Sequence, residues 1–327
     1  MLGERTGLGA IGHRPMAVGS DGQGRVFVLA SEVGAPLVFR ADGRFLQRLG
    51  AVGTDSGEYT WVSAFTSAGG RAAVFDNVNR RLTILSLDDL TSQSEASMPG
   101  FSVGALLLLN DSVLVLNSGA NMPEGIGFPL QLVRAKVGAP GLGTPLRWFG
   151  ADDQPYAQST AHRSRRRLAR STSGGFWAAH GYDYVVEFWS EEGELVRRLE
   201  RRPPWFLGES GPSLGTPWNP PFPRIMSILE DSAGLLWIMA LVPDPQWREA
   251  WRGITVVEGV ELEFGPADVH LFDTAIDILD PASGTLVFSA SLDAAGFGFL
   301  GDGVIAAYGG TPQQPLVEVW QLTLKGW

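Results

Sequence analysis

The chain has 327 residues, a net charge of −10, 42 glycines, 21 prolines and no cysteine. The missing cysteines exclude disulfides, thiolate catalysis and cysteine-based zinc sites, and the acidic balance argues against nucleic acid as a partner. Apolar residues make up 44% and charged residues only 18%, which suits a full core built from many short strands and turns rather than long helices.

At the N-terminus, MLGERTGLGA has neither a basic n-region nor an apolar h-region, so it does not read as a signal peptide. GLGAIG (7–12) matches G-x-G-x-x-G, but no strand precedes it. Pro15 follows closely, so no helix N-terminus is available for a pyrophosphate. No run approaches 18 consecutive apolar residues, and no membrane span is expected.

From there a repeat organises the chain. Six segments each show an apolar run, a turn rich in Gly, Asp, Asn or Ser, and a second apolar run. They are MAVGSDGQGRVFVLA (16–30), AFTSAGGRAAVFD (64–76), ALLLLNDSVLVLNSG (105–119), RLARSTSGGFWAAHG (167–181), SILEDSAGLLWIMA (227–240) and FGFLGDGVIAAYGG (297–310). Such turns supply φ > 0 or Asx hydrogen bonds between short strands, so six hairpins are expected. Most are followed by a second pair of runs, as in PLVFRADGRFLQRLG (36–50) and VVEFWSEEGELVRRLE (185–200). Four strands per unit predict an all-β, six-bladed propeller of four-stranded antiparallel blades. The last unit, ending PLVEVWQLTLKGW, lacks an outermost strand, and residues near Met1 to Arg5 are expected to close the ring there. The whole chain, 1–327, is read as one such domain.

The segment DNVNRRLTIL from Asp76, with DGQGRVFVLA and VFRADGRFLQRLG before it, resembles the NHL repeat. The chain is similar to the bacterial six-bladed propellers related to NHL-repeat and TolB-like proteins. SILEDSAGLLW also resembles the turn repeats of periplasmic sensor propellers and, more distantly, the Asp box of sialidases. The resemblance implies a fold and a blade-organising turn, not a catalytic role. Its members include binding scaffolds, lyases and lactonase-like enzymes, and it suggests a periplasmic or extracellular location.

In such a propeller the loops after the second and fourth strands share one face, here called the top. Two long segments map to it over blade five: 201–224 and 241–274. Structureless loops of that length are usually functional or disordered, and their aromatic content argues against disorder. They carry Trp205, Phe206, Trp218, Phe222, Trp247 and Trp251. Pro245 and Gly253 predict a short helix that puts Trp247 and Trp251 on one face. These indoles either wall a ligand site or pin the insertion to the propeller.

Other loops add Asn77, Asn79, Asn121 and Tyr308 to the top rim, and His180, Tyr182 and Tyr184 as ligand-binding candidates. Arg163 and Arg165 of HRSRRRLAR could capture a carboxylate or phosphate, or pair with neighbouring acids. No nucleophile elbow, H-E-x-x-H or P-loop is present. Four histidines, at 13, 162, 180 and 270, make a multi-histidine metal centre improbable. Asp268 and His270 would share one side of a strand, if 268–270 is one. No cofactor is expected, except that Asp76, Asn117 and Asp183 could ligate a calcium ion at the channel mouth.

The reading favoured by these residues is a monomeric, non-catalytic propeller. It binds a small molecule, a peptide or another protein on its top face near blades four and five. The alternative is a metal-dependent, lactonase-like hydrolase or lyase at the channel mouth, with His180 or His270 as base.

Overall fold

The computed structural model describes residues 11, 15–30, 34–98, 102–110, 113–122, 125–127, 130–134, 145–149, 165–206, 218–251, 268–311 and 314–323. All six expected hairpins form within them.

Blade one is β1 (Pro15–Ser20), β2 (Arg25–Ala30), β3 (Leu37–Arg40) and β4 (Phe45–Arg48). A small parallel pair, β5 (Ala51–Val52) and β6 (Glu58–Tyr59), follows it. Blade two is β7 (Val62–Ala68), β8 (Arg71–Asp76), β9 (Arg81–Ser86) and β10 (Ser92–Ser97). Blade three is β11 (Ser102–Leu108), β12 (Val113–Met122), β13 (Gly125–Gly127), β14 (Leu130–Arg134) and β15 (Pro145–Phe149); β13 pairs only with the far end of β12. Blade four is β16 (Arg166–Arg170), β17 (Phe176–His180), β18 (Val185–Trp189) and β19 (Leu195–Glu200). Blade five is β20 (Arg224–Glu230), β21 (Leu236–Pro243), β22 (Phe272–Asp280) and β23 (Thr285–Leu292), with helix α1 (Trp247–Trp251) between β21 and β22. The final sheet is β24 (Gly296–Gly301), β25 (Val304–Thr311) and β26 (Gln314–Gln321).

The expectation of six four-stranded blades is corrected by this topology. Among the described residues the chain builds five blades, and the sixth hairpin gains only one further strand, giving a three-stranded sheet. The physical reason is that a hairpin repeat counts inner strand pairs only. A complete blade needs two more apolar runs, and PLVEVWQ supplies one. The expected closing strand near Met1 to Arg5 lies outside the described residues.

The first strands pack side by side in chain order, and β24 returns to β1, so the sheets stand around a ring. Five of these inner strands carry a bulge near their top end, at Met16, Ser63, Gly104, Met226 and Phe297. A bulge increases local twist and bends its strand. Its repetition around the ring makes it a device of curvature rather than the mark of one site.

Polar groups at the top stitch five of the six junctions between neighbouring sheets. Asn77 of blade two takes the Val103 amide on its Oδ1 at 3.0 Å. Asn117 of blade three accepts the Arg166 amide at 2.8 Å. The Gly181 carbonyl accepts the Ile225 amide at 2.8 Å. Thr274 Oγ1 accepts the Gly296 amide at 2.6 Å. Tyr308 donates its hydroxyl to the Pro15 carbonyl at 2.8 Å, and this bond joins the last sheet to the first. Each clasp satisfies a backbone group that would otherwise be orphaned where a new sheet begins.

The hairpin of SILEDSAGLLW is such a structural device on the bottom face. Asp231 Oδ1 accepts the amides of Ala233 and Leu235 at 2.9 and 2.8 Å, and its Oδ2 takes the Trp237 indole at 2.7 Å. Gly234 sits at φ 80° in the tight turn, where a β-carbon would be strained. Trp237 is thereby fixed in the packing between blade five and the last sheet.

Candidate functional site

Blade five departs from the plan of its neighbours at the top. Its ladder between β20 and β21 ends at Arg224 opposite Leu241, yet β21 continues through Val242 and Pro243, paired with Asp273 and Phe272. At about 3.4 Å per residue this raises the rim by about 7 Å. The two ends of the expected 241–274 loop, 241–243 and 272–274, are therefore sheet. The expected helix forms as α1, started where Asp244 accepts the Gln246 amide on Oδ1 and the Trp247 amide on its carbonyl.

Trp247 and Trp251 are each 5% exposed. They pack with Leu241, Leu271, Phe272 and Ala295. This burial is what holds a five-residue helix that could not persist alone. Residues Asp268–Leu271 form a 3-10 turn, so Asp268 and His270 do not share one side of a strand.

Trp205 packs edge-on against Tyr184, with ring centres 5.7 Å apart, and both belong to the packing between blades four and five. The Tyr184 hydroxyl donates to Asp277 at 2.7 Å; Asp277 also accepts Arg201 at 3.1 Å and Ser289 at 2.6 Å. Burial, then the Asp277 charge, raises the Tyr184 pKa. Tyr182 is buried; Arg165 is exposed, and its carbonyl accepts the Gly181 amide at 2.9 Å. Trp218 is 83% exposed. Arg163 lies outside the described residues.

His180 is buried in a charged cluster centred on Glu187. Arg166 Nε lies 3.2 Å from Glu187 Oε2, and His180 Nε2 and Arg198 Nη1 each lie 3.5 Å from Oε1. Trp189 donates its indole at 3.3 Å. Burial alone would raise the Glu187 pKa. His180 and the two guanidiniums outweigh it and hold the carboxyl at about 2.

Asp76, Asn117 and Asp183 stand on three different blades. The Asp76 carboxylate accepts the amides of Thr60, Trp61, Val78 and Asn79 and the Asn79 side chain. Its oxygens organise the turn that the NHL-like motif marks. Asn117 is the clasp onto Arg166, and Asp183 is half-buried in a turn whose carbonyl accepts the Val185 amide.

The carboxylates that do converge were not singled out in the sequence. Asp244 after β21, Asp273 at the start of β22 and Asp293 after β23 bring one oxygen each within 4.8 Å of one another. Asp273 Oδ1 is buried and accepts no hydrogen bond among the described residues. Burial, then the charges of Asp244 and Asp293, raises the Asp273 pKa to about 6. Chemically, this triad can share a proton or face a cation. Its signal in sequence was positional: all three residues sit where strands of one blade meet the top.

No family model matches the chain, and no curated protein matches its sequence. Solved structures do match its fold. A Bacteroides fragilis protein thought to be exported is 13% identical with a TM-score of 0.54, over 94% of this chain and 80% of that one. Hydrazine synthase of Kuenenia stuttgartiensis is 10% identical with a TM-score of 0.54, over 94% and 76%. The β-propeller domain of Myceliophteria thermophila Cps50 (Swd1) is 9% identical with a TM-score of 0.49, over 95% and 98%. At these identities the likeness to the first two shows the β-propeller fold alone. Among the described residues no helix is long and apolar enough to cross a membrane.

Proposed function

We propose that this chain is a non-catalytic binding propeller whose small-molecule, peptide or protein ligand sits on the top face over blades four and five. The observation that carries the reading is the raised rim of blade five. It is held rigid by the buried Trp247 and Trp251, and the exposed Trp218 stands in the segment that enters the same blade. A rigid shelf with an exposed aromatic side chain suits binding, because little ordering entropy is lost on contact. The Asp244, Asp273 and Asp293 carboxylates on this rim favour a ligand with a cationic group.

A thermal-shift screen of amines, basic peptides and basic proteins at pH 7 tests the reading, since a ligand that binds only the folded state raises Tm. Shifts that vanish in both Asp273→Asn and Trp218→Ala support it. Shifts retained in full by both variants overturn it.

The metal-dependent hydrolase or lyase remains a second reading, favoured by the same triad as the one carboxylate cluster of metal-binding geometry among the described residues. It predicts stabilisation by Ca²⁺, Mn²⁺ or Zn²⁺ that Asp273→Asn abolishes. No shift with any of the three ions contradicts it.

A further inference from the structure

Blade four is the exception to the bulge that recurs on the inner strands. β16 runs without a register shift, Arg166 opposite His180 and Arg167 opposite Ala179. The clasps show which of its residues stands in the bulge's place. The Arg166 amide is held as those of Val103, Ile225 and Gly296 are, and in those strands the bulged residue comes next. Arg167 is therefore the counterpart of Gly104, Met226 and Phe297, and it alone of the four carries a charge. Ser63, bulged in blade two, donates its hydroxyl to the Val103 carbonyl of the next sheet at 3.0 Å. Arg167 makes the same stitch, its Nε donating to the Ile225 carbonyl at 3.4 Å. A hydroxyl suffices for that bond, whereas a guanidinium has five N–H donors. Among the described residues Arg167 makes no other side-chain hydrogen bond and pairs with no carboxylate. Burial lowers its pKa, and Tyr182, Arg165 and Tyr308 are the groups near enough to act on it. A guanidinium nonetheless stays charged, and a charge taken out of water without a partner is costly. Arg167 is half-buried, so the group is still within reach from solvent.

We propose that Arg167, with Arg165 beside it, forms an oxyanion site at the top junction of blades four and five, and that its ligand is a small carboxylate. The planar fork of a guanidinium matches the two oxygens of a carboxylate. The net charge of −10 opposes a multiply charged anion more than a singly charged one. Arg165 adds a second positive charge from the same side of the chain, two residues earlier. The site goes beyond the top-face reading and does not rest on it: it takes an anion, on the inner strands, without the blade-five carboxylates.

Calorimetric titration of the full chain with acetate, benzoate and inorganic phosphate, at constant ionic strength in chloride, tests it. Wild type is expected to bind both carboxylates saturably and more tightly than phosphate, and its Tm to rise with their concentration. Arg167→Gln keeps a donor for the Ile225 carbonyl. It is expected to weaken binding at least about tenfold, the worth of one charge-assisted hydrogen bond, with a Tm in anion-free buffer no lower than that of wild type. If Arg167→Gln disturbs folding, Arg167→Lys, which keeps the charge and loses the fork, takes its place and is expected to weaken binding. Trp218→Ala and Arg40→Gln, an exposed position on blade one, leave the affinity unchanged, so this site and the top-face reading can fail separately. No saturable carboxylate binding by wild type overturns the proposal. So does full affinity in the Arg167 variant that folds, an equal loss in Arg40→Gln, or tighter binding of phosphate than of either carboxylate.

Discussion

Blade four and blade five both gather carboxylates near the top of the ring, and they treat them in opposite ways. Glu187 meets Arg166, His180, Arg198 and the Trp189 indole, and its pKa falls to about 2. Asp273 meets Asp244 and Asp293, and its pKa rises to about 6. The same contrast extends to Asp76, Asp231 and Asp277, each of which is supplied with donors. A buried charge that is fully partnered secures one arrangement of the strands around it. Clustered acids without cationic partners weaken the fold, which makes blade five's rim the better candidate for a surface used in binding.

The contrast can be broken most strongly at Glu187. Glu187→Gln removes the carboxylate beside the buried Arg166, and the expected loss is about 3–5 kcal/mol in urea unfolding. Because the folded pKa lies below the ordinary value, the wild type's stability from this group is full above about pH 4.5 and is lost as pH falls toward 2. The variant should lack that slope. An unchanged stability would mean that the cluster does not hold the strands of blade four together. Asp277→Asn comes next, with a loss of about 2 kcal/mol from the weakened charge-assisted bonds of Arg201 and Tyr184. A loss much below 1 kcal/mol would show that these contacts are not worth more than neutral hydrogen bonds. Trp218→Ala should change stability by less than about 0.5 kcal/mol, since an exposed side chain anchors little. A larger loss would make Trp218 a packing residue and remove it from the candidate surface.

Much of this architecture was legible in the residues. The six hairpins were marked by turns such as SDGQG, EDSAG and GDG between apolar runs, because a tight turn demands residues that tolerate φ > 0. Helix α1 was legible from Pro245 and from Trp247 and Trp251 four apart. The number of complete blades was not legible, because a hairpin says nothing about a third or fourth strand. Asn77, Asn117 and Tyr308 could be placed on the top rim, but not their use as clasps between sheets, which depends on the backbone of the next sheet. The acid triad was hidden for a similar reason. Asp244, Asp273 and Asp293 lie far apart in the chain, and only the registers of β21 with β22 and of β22 with β23 bring them together.

The central claim is that the blade-five triad has no cationic partner among the described residues, and the unfolding free energy of wild type and Asp273→Asn across pH 3.5 to 8 tests it most directly. The folded pKa of about 6 lies above the ordinary 3.8. The protonated form therefore stabilises the wild type fully below about pH 3.8, and that contribution is lost as pH rises through 6. Screening at this partly exposed position reduces the effect to about 1 kcal/mol. Asp273→Asn should match wild type at pH 3.5 and exceed it by about 1 kcal/mol at pH 8. A variant less stable than wild type at pH 8 would mean that the carboxylate already has a cationic partner, and it would contradict the account.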